Sequence, residues 1–240
     1  MSEHATAGPR PLGPGGDVDT FLEHWRQLHG GVDPRGTLLV RRWLTAVHAC
    51  ARPLARRGVR PDALTGAGLV VALVTVPVAA LGGRWALVVA ALTGASSVLD
   101  SLDGAVAVVS DRVTRWGALL DAVCDRIGDV ALALALAALI VAPDEHVIGR
   151  WWLLVVTGCA VVLPLLHEYV RARAASLRLA GLDVVTAGER PTRLVVVLMF
   201  ALAAGVTLDA SWAWAGLCLV AASALAGTAQ LFWRLRRSNA

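Results

Sequence analysis

Lysine is absent from this sequence of 240 residues, so its net charge of +4 comes from arginine alone. Charge of either sign is missing from long stretches, such as residues 64–83. About 20 apolar residues are enough for a helix to cross the hydrocarbon core of a bilayer. With a hydrophobic content of 57% and a mean hydropathy of +0.64, these stretches exclude an ordinary soluble domain and predict an all-α, polytopic membrane protein.

A signal-peptide pattern and closely spaced cysteines are also missing from the sequence. Residues 1–60 have no early apolar core of the signal-peptide type, so we expect no cleavable leader. We expect residues 1–35 to be disordered or loosely structured in the cytoplasm, with residues 1–16 as a disordered tail. The four cysteines are too far apart for a disulfide framework or a paired zinc site, which favours small buried side chains.

The apolar stretches predict six membrane-spanning helices, because a backbone in lipid must satisfy its hydrogen bonds internally. The predicted spans are 64–82, 85–109, 117–142, 151–170, 192–208 and 211–233. They form a membrane domain over residues 61–233, followed by a cytoplasmic tail over 234–240. Tryptophans lie near the ends of these spans, where indole rings favour the interface: Trp85, Trp151, Trp152, Trp212 and Trp233.

The distribution of arginine predicts the orientation. The loops after the first and third spans contain one arginine each, Arg84 and Arg150, and the loop after the fifth contains none. Nearly all others lie in the N-terminal segment, in the loops after the second and fourth spans, and in the C-terminal tail. By the positive-inside rule, both termini lie on the cytoplasmic side of a cell membrane.

The segment 36–60 interleaves apolar and arginine side chains just before the first span. Its apolar positions include Leu38, Leu39 and Trp43, and Arg41 and Arg42 lie between them. This spacing predicts an amphipathic helix on the cytoplasmic membrane surface, with guanidinium groups toward anionic lipid. An ordinary juxtamembrane linker is the alternative.

Five aspartates lie in or against apolar helical stretches, where an ionised side chain is expensive and usually has a function. They are Asp100, Asp103, Asp121, Asp125 and Asp129. Spacings of three and four residues place each set on one face of its helix. Oxygen ligands without a His or Cys cluster favour hard divalent cations, and two ions would neutralise the set. Pairing with Arg112, Arg115 or Arg126, and a proton or cation pathway, stay open as alternatives.

The residues around these aspartates match a family signature, D-x2-D-G-x2-A-R-x8-G-x3-D-x3-D. The matching positions are Asp100, Asp103, Gly104, Ala107, Gly117, Asp121 and Asp125. Over about residues 61–193 the sequence resembles the CDP-alcohol phosphatidyltransferases. The resemblance implies a homodimeric enzyme with six transmembrane helices and a cytoplasmic active site. Such an enzyme transfers a phosphatidyl group from CDP-diacylglycerol to a small alcohol, releases CMP, and binds no nucleic acid.

The resemblance also implies roles for individual residues. Asp100, Asp103, Asp121 and Asp125 would bind two magnesium ions, or manganese, and Asp125 would also deprotonate the acceptor hydroxyl. Residues that would contact the CDP-lipid are Asp62, Ala63, Leu64, Thr65, Gly104 and Thr114. General chemistry agrees, because metal ions stabilise charge on a diphosphate and a carboxylate within reach takes the proton.

One position departs from the signature, since Val108 stands where the family has an arginine. We expect this position to lie beside the CDP diphosphate. Either Arg112 or Arg115 then substitutes for the missing guanidinium, or activity is weakened. The alternative function is accordingly a silenced family member that binds lipid or nucleotide in the membrane.

The acceptor is implied less narrowly. The segments 169–174 and 189–193 resemble those of actinobacterial phosphatidylinositol phosphate synthases, in which a basic pocket holds the phosphate of inositol phosphate. The candidates for the acceptor phosphate are therefore Arg171, Arg173, Arg190 and Arg193, since guanidinium groups suit phosphate. Glycerol phosphate, a second phosphatidyl group or another polyol stay open as acceptors, as does plain positive-inside charge for these arginines.

Overall fold

The computed structural model describes residues 16–28, 33–142, 150–182 and 185–239. These ranges contain helices and turns but no strand, which confirms the all-α prediction. The helices are α1 (Val18–Leu28), α2 (Leu38–Arg56), α3 (Pro61–Ala79), α4 (Trp85–Val109), α5 (Arg115–Val141), α6 (Arg150–Ser176), α7 (Arg190–Thr207) and α8 (Ser211–Ser238). A short 3-10 helix at Pro34–Gly36 precedes α2.

Among the described residues, five helices have the length and composition needed to cross a membrane. They are Pro61–Ala79, Trp85–Val109, Trp151–Ser176, Arg190–Thr207 and Ser211–Ser238, which correspond to five of the six predicted spans. Helix α5 differs because its apolar part also contains Asp125, Arg126 and Asp129. A sixth span through α5 stays a prediction.

The chain divides into two compact units, one with residues 1–65 and 98–121 and the other with residues 66–97 and 122–240. In the first unit, apolar side chains of α1, α2 and α4 form one core: Phe21, Leu22, Leu44, Val47, Ala51, Ala105, Val106, Val108 and Val109. In the second unit, α3 to α8 contribute small and branched residues to a larger core, which includes Ala135, Leu136, Ala201 and Leu217 at its centre. Small side chains let membrane helices approach closely.

The N-terminal region is more ordered than the sequence predicts. The Asp17 carboxylate accepts a hydrogen bond from the Thr20 backbone N–H at 2.9 Å, which caps α1. Phe21 and Leu22 of α1 are buried. The expectation of a loosely structured segment over 1–35 is therefore wrong for residues 18–28, while the predicted tail lies outside the described residues except for Gly16.

Two other predictions concern α2 and α8. A helix does occupy most of the segment 36–60: it buries Leu44 and Val47 and leaves Leu38 and Leu39 72% and 77% exposed. Its position on a membrane surface stays a prediction.

Helix α8 continues to Ser238, so the predicted tail over 234–240 is largely helical. Of the four cysteines, Cys124 alone is buried.

Candidate active site

Two of the predicted metal ligands come together in the first unit. Carboxylate oxygens of Asp100 in α4 and Asp121 in α5 lie within 4.8 Å of one another. Because divalent ions bind carboxylate oxygens at about 2.0–2.6 Å, both groups can reach one ion or a closely spaced pair of ions. The pair therefore fits a divalent-metal site.

The third aspartate of this unit is held in place by α3. Asp103 is 5% exposed, and its Oδ2 accepts a hydrogen bond from the Thr65 hydroxyl at 2.5 Å. Its Oδ1 accepts from the Gly104 backbone N–H, also at 2.5 Å. Thr65 was predicted as a donor-binding residue. Here it orients a carboxylate of the signature.

The other predicted donor-binding residues lie around the starts of α3 and α5. The Thr114 hydroxyl accepts a hydrogen bond from the Gly117 N–H at 2.9 Å. A Cβ added at Gly117 would stand 3.1 Å from that hydroxyl and 3.6 Å from Asp62 Oδ1, so a side chain there would crowd both. Ala63 is exposed, whereas Leu64 packs against the apolar core of the first unit. At Gly104 the same added Cβ meets open space, which leaves room for a ligand.

Val108 contradicts the expectation that this position lies beside a diphosphate. Its side chain is 9% exposed and belongs to the apolar core shared by α1, α2 and α4. Helix α4 ends just beyond it, where Asp111 adopts the left-handed conformation with φ 56°. The Arg112 N–H donates to the Ala107 carbonyl at 2.8 Å, which closes the turn. Arg112 and Arg115 are exposed, and neither forms an ion pair within the described ranges.

Asp125 follows Asp121 by one turn of α5, so the two carboxylates share a face of that helix. Asp125 itself lies in the second unit. Arg190 Nη1 is 2.9 Å from its Oδ1, and Arg126 Nη2 is 3.5 Å from its Oδ2. Two guanidinium groups thus contact the predicted catalytic carboxylate.

The neighbouring acids are also paired with arginine. Asp129 Oδ2 accepts from Arg193 at 2.7 Å, and Glu168 lies 3.1 Å from Arg126 and 3.3 Å from Arg193. Three acids (Asp125, Asp129, Glu168) and three arginines (Arg126, Arg190, Arg193) make up this ionic cluster of the second unit. Arg126, one of the arginines of the pairing alternative, lies 3.5 Å from Asp125 and 3.8 Å from Asp129, so that alternative stays open for these two acids.

The predicted acceptor arginines have different environments. Arg193 is 3% exposed and also donates to the Gly188 carbonyl, so it is not placed to bind an incoming acceptor. Arg190 is partly accessible, with 14% of its side chain exposed. Arg171 donates to Glu189, and Arg173 is exposed near Ser176. Only Arg171, Arg173 and Arg190 remain accessible candidates.

Sequence reasoning missed the acids that hold these arginines. Glu168 lies inside the apolar helix α6, so the rule that singled out the aspartates could have found it. Glu189 accepts from the Thr186 N–H at 3.1 Å and from its hydroxyl at 2.9 Å. That hydroxyl also lies 2.9 Å from Nε2 of the fully buried His167. These contacts fix the turn that leads into α7.

A model of the CDP-alcohol phosphatidyltransferase family matches residues 59–227. The chain belongs to the CDP-alcohol phosphatidyltransferase family. Membership places it among the transferases of phospholipid biosynthesis in membranes and confirms the resemblance seen in the signature.

Several actinobacterial relatives are similar over the same region. The phosphatidylinositol phosphate synthase of Mycolicibacterium smegmatis is 35% identical over 165 residues, which are 62% of this chain and 66% of the relative. That of Corynebacterium glutamicum is 36% identical over 169 residues, 64% of this chain and 67% of the relative. The chain thus spans about two thirds of the length of these relatives.

Solved structures of the Mycobacterium tuberculosis phosphatidylinositol phosphate synthase have a similar fold. The complex with manganese and citrate gives a TM-score of 0.67 at 27% identity and covers 80% of this chain and 90% of that chain. The structure with CDP-DAG bound gives 0.66 at 27% identity and covers 80% and 94%.

Proposed function

We propose that the protein transfers a phosphatidyl group from CDP-diacylglycerol to the hydroxyl of a small phosphorylated alcohol, such as inositol phosphate or glycerol phosphate, and releases CMP. The observation that carries this proposal is the pair of carboxylates, Asp100 and Asp121, within 4.8 Å inside the family signature. The manganese and the CDP-DAG in structures of the mycobacterial enzyme support the same metal and donor class.

The proposed metal ligands are Asp100, Asp103, Asp121 and Asp125, holding two magnesium or manganese ions. These donors fit such ions because all are carboxylates, and a cation offsets the repulsion between Asp100 and Asp121, whose oxygens lie within 4.8 Å. When bound, the ions stabilise the negative charge that develops on the diphosphate.

Residues of the chain transfer the proton and contact the donor. Asp125 accepts the proton of the acceptor hydroxyl, and the oxygen attacks the β-phosphorus of the donor. The bond from that phosphorus to the CMP oxygen breaks, and CMP leaves with the bonding electrons. Asp62, Ala63, Leu64, Thr65, Gly104 and Thr114 border the donor, with the open space at Gly104 admitting the nucleotide.

For the acceptor, we assign the phosphate to Arg171, Arg173 and Arg190, which stay accessible, and not to the buried Arg193. We further propose six spans, a homodimer, and cytoplasmic termini and active site. The support for α5 as a span is that its charges at Asp125, Arg126 and Asp129 are paired within the second unit.

Val108 favours a second candidate function, a silenced member that binds donor lipid without transfer. The family arginine is missing, and the valine lies in an apolar core. The two functions differ in one measurable respect, which is whether any lipid product forms.

The test measures CMP release and identifies the lipid product by mass spectrometry. Purified protein receives CDP-diacylglycerol with inositol phosphate, glycerol phosphate, inositol or glycerol, in magnesium, manganese or excess chelator. We expect transfer only with metal. Asp125→Asn should lower kcat by about 10², while Asp209→Asn, in an exposed turn, should not. Undiminished CMP release in excess chelator would contradict the role of the metal. A near-native kcat in Asp125→Asn would contradict the role of Asp125 as the base. If no lipid product forms with any acceptor, the silenced member is favoured.

A further inference from the structure

The contact between Arg190 and Asp125 joins two groups with separate proposed roles. Arg190, the first residue of α7, reaches Asp125 Oδ1 with its Nη1 at 2.9 Å. One is a candidate for the acceptor phosphate and the other for the base. The two groups therefore contact each other directly.

The rest of the ionic cluster does not depend on this contact. Asp129 has Arg193 at 2.7 Å, and its distance to Arg190 Nε is 3.8 Å. Glu168 has Arg126 and Arg193 within 3.3 Å. Asp125 keeps Arg126 at 3.5 Å if Arg190 turns away. Removal of Arg190 from Asp125 thus leaves every acid of the cluster next to an arginine.

Accessibility also separates Arg190 from Arg193. The side chains of Arg190 and Asp125 are 14% and 16% exposed, against 3% for Arg193. A small anion can therefore reach Arg190 while Arg193 stays buried. A phosphate dianion offers a guanidinium more charge than one carboxylate does, so it can compete for the same nitrogen atoms.

We propose that Arg190 is a specificity-determining residue that passes from Asp125 to the phosphate of an anionic acceptor, and so frees Asp125 for the acceptor hydroxyl. This inference rests on the proposed function. A neutral alcohol leaves Arg190 on Asp125, and the carboxylate then remains occupied. The enzyme therefore selects phosphorylated alcohols through kcat as well as through KM.

Asp125 and the acceptor phosphate compete for Arg190 in this proposal. Substitution of Asp125 and substitution of Arg190 should therefore change the affinity for the acceptor in opposite directions. Asp125→Asn weakens the hold on Arg190, so inositol phosphate should bind more tightly. If Arg190 is free in about a tenth of the molecules, full release raises the apparent affinity about tenfold. Arg190→Gln should weaken binding about tenfold or more, because a charge-assisted contact is lost.

Calorimetry on the full chain in detergent, with chelator and without donor, measures this binding independently of catalysis. Chelator matters because the loss of Asp125 then cannot act through a metal. Asp209→Asn and Arg236→Gln are matched controls, since both remove an exposed charge outside the cluster. Both should bind inositol phosphate like the wild type. Glycerol phosphate and inorganic phosphate show whether the shared phosphate group is what is recognised.

Tighter binding in Asp125→Asn together with weaker binding in Arg190→Gln supports the inference. Unchanged or weaker binding in Asp125→Asn overturns it, as does unchanged binding in Arg190→Gln. No phosphate-dependent binding in any variant also overturns it, and transfer to a neutral alcohol would then show that the phosphatidyltransferase activity itself stands. If both binding changes appear and no lipid product forms, the competition is supported and the proposed function fails.

A kinetic measurement gives a second readout. The ratio of kcat for inositol phosphate to kcat for inositol should fall about tenfold in Arg190→Gln, because Asp125 is no longer occupied with the neutral acceptor. Arg190→Lys keeps one charge and should restore part of the ratio. If Arg190→Gln changes only KM, Arg190 contributes to acceptor binding alone. The proposal that it releases Asp125 would then be overturned.

Discussion

Arg193 donates to the Asp129 carboxylate across 2.7 Å and so joins α7 to α5 inside the second unit. The same guanidinium bonds Glu168 at 3.3 Å and the Gly188 carbonyl. Its side chain is 3% exposed, so no solvent can replace these contacts. Arg193 is thus a buried link among three parts of the unit.

Arg193→Met should lower the free energy of unfolding by about 3–5 kcal/mol, because it removes the guanidinium that hydrogen-bonds the buried Asp129 carboxylate. Thermal unfolding in detergent measures the change, with Arg236→Met as the exposed control. Adding Asp129→Leu to Arg193→Met should recover part of the loss, since the carboxylate that lost its hydrogen bond is then gone. A native Tm in the single variant would contradict the structural role.

A close backbone contact sets the turn before α7. A Cβ added at Gly227 in α8 would stand 2.4 Å from the Gly188 nitrogen and 2.6 Å from its Cα. Gly227→Ala should therefore destabilise the protein by about 1–3 kcal/mol through overpacking. Gly158→Ala in α6 is the matched control, because nothing lies within 4 Å of its added Cβ. Equal Tm values for the two variants would show that the turn can move away from the added Cβ without loss of stability.

The environment of Val108 predicts that restoring the family arginine destabilises the protein. Val108→Arg places a charge among apolar side chains of α1, α2 and α4, which costs several kcal/mol unless the helices separate. We expect faster hydrogen exchange over residues 18–28 and a lower Tm. Val113→Arg, at a valine that is 56% exposed, should change neither. Unchanged exchange and Tm together with a higher kcat/KM for the donor would instead support a diphosphate contact at this position.

His48 makes the packing of α1 depend on pH. Burial, and then the nearby Arg52, lower the pKa of His48 below its usual 6.5. Because burial disfavours the charged ring in the folded protein, the unfolded segment binds the proton first as the pH falls. Stability is therefore complete above about pH 6.5 and decreases below it.

Hydrogen exchange over residues 18–28, corrected for intrinsic rates, should accelerate from pH 7 to pH 5 in the wild type. His48→Phe should remove this dependence, and His24→Gln should keep it. The same acceleration in His48→Phe would assign the effect to another group.

Much of the site was predictable because its information is local in the sequence. The spacing of Asp100, Asp103, Asp121 and Asp125 within 26 residues fixes which helical faces carry the carboxylates. The contacts that orient these groups join distant residues: Thr65 bonds Asp103 across 38 positions, and Arg193 bonds Asp129 across 64. Periodicity within one helix contains no information about such partners.

The wrong prediction for residues 18–28 has a related cause. Helix α1 has 11 residues, which is too short to be stable alone in water. Phe21 and Leu22 become buried only with α2 and α4 in place, and the same packing covers Val108. The composition of residues 1–35 gives no hint of those partners.

The ionic cluster has a consequence for how the chain is made. Asp125, Arg126 and Asp129 emerge from the ribosome with α5, but Glu168 belongs to α6, and Arg190 and Arg193 belong to α7. Until residue 193 has been synthesised, α5 lacks the arginines that complete the balance of three acids and three bases. If α5 spans the membrane as proposed, its charged groups are tolerated in the hydrocarbon core only when α6 and α7 pack against it. With that topology, α5 would become stable in the membrane only after α7 has been synthesised.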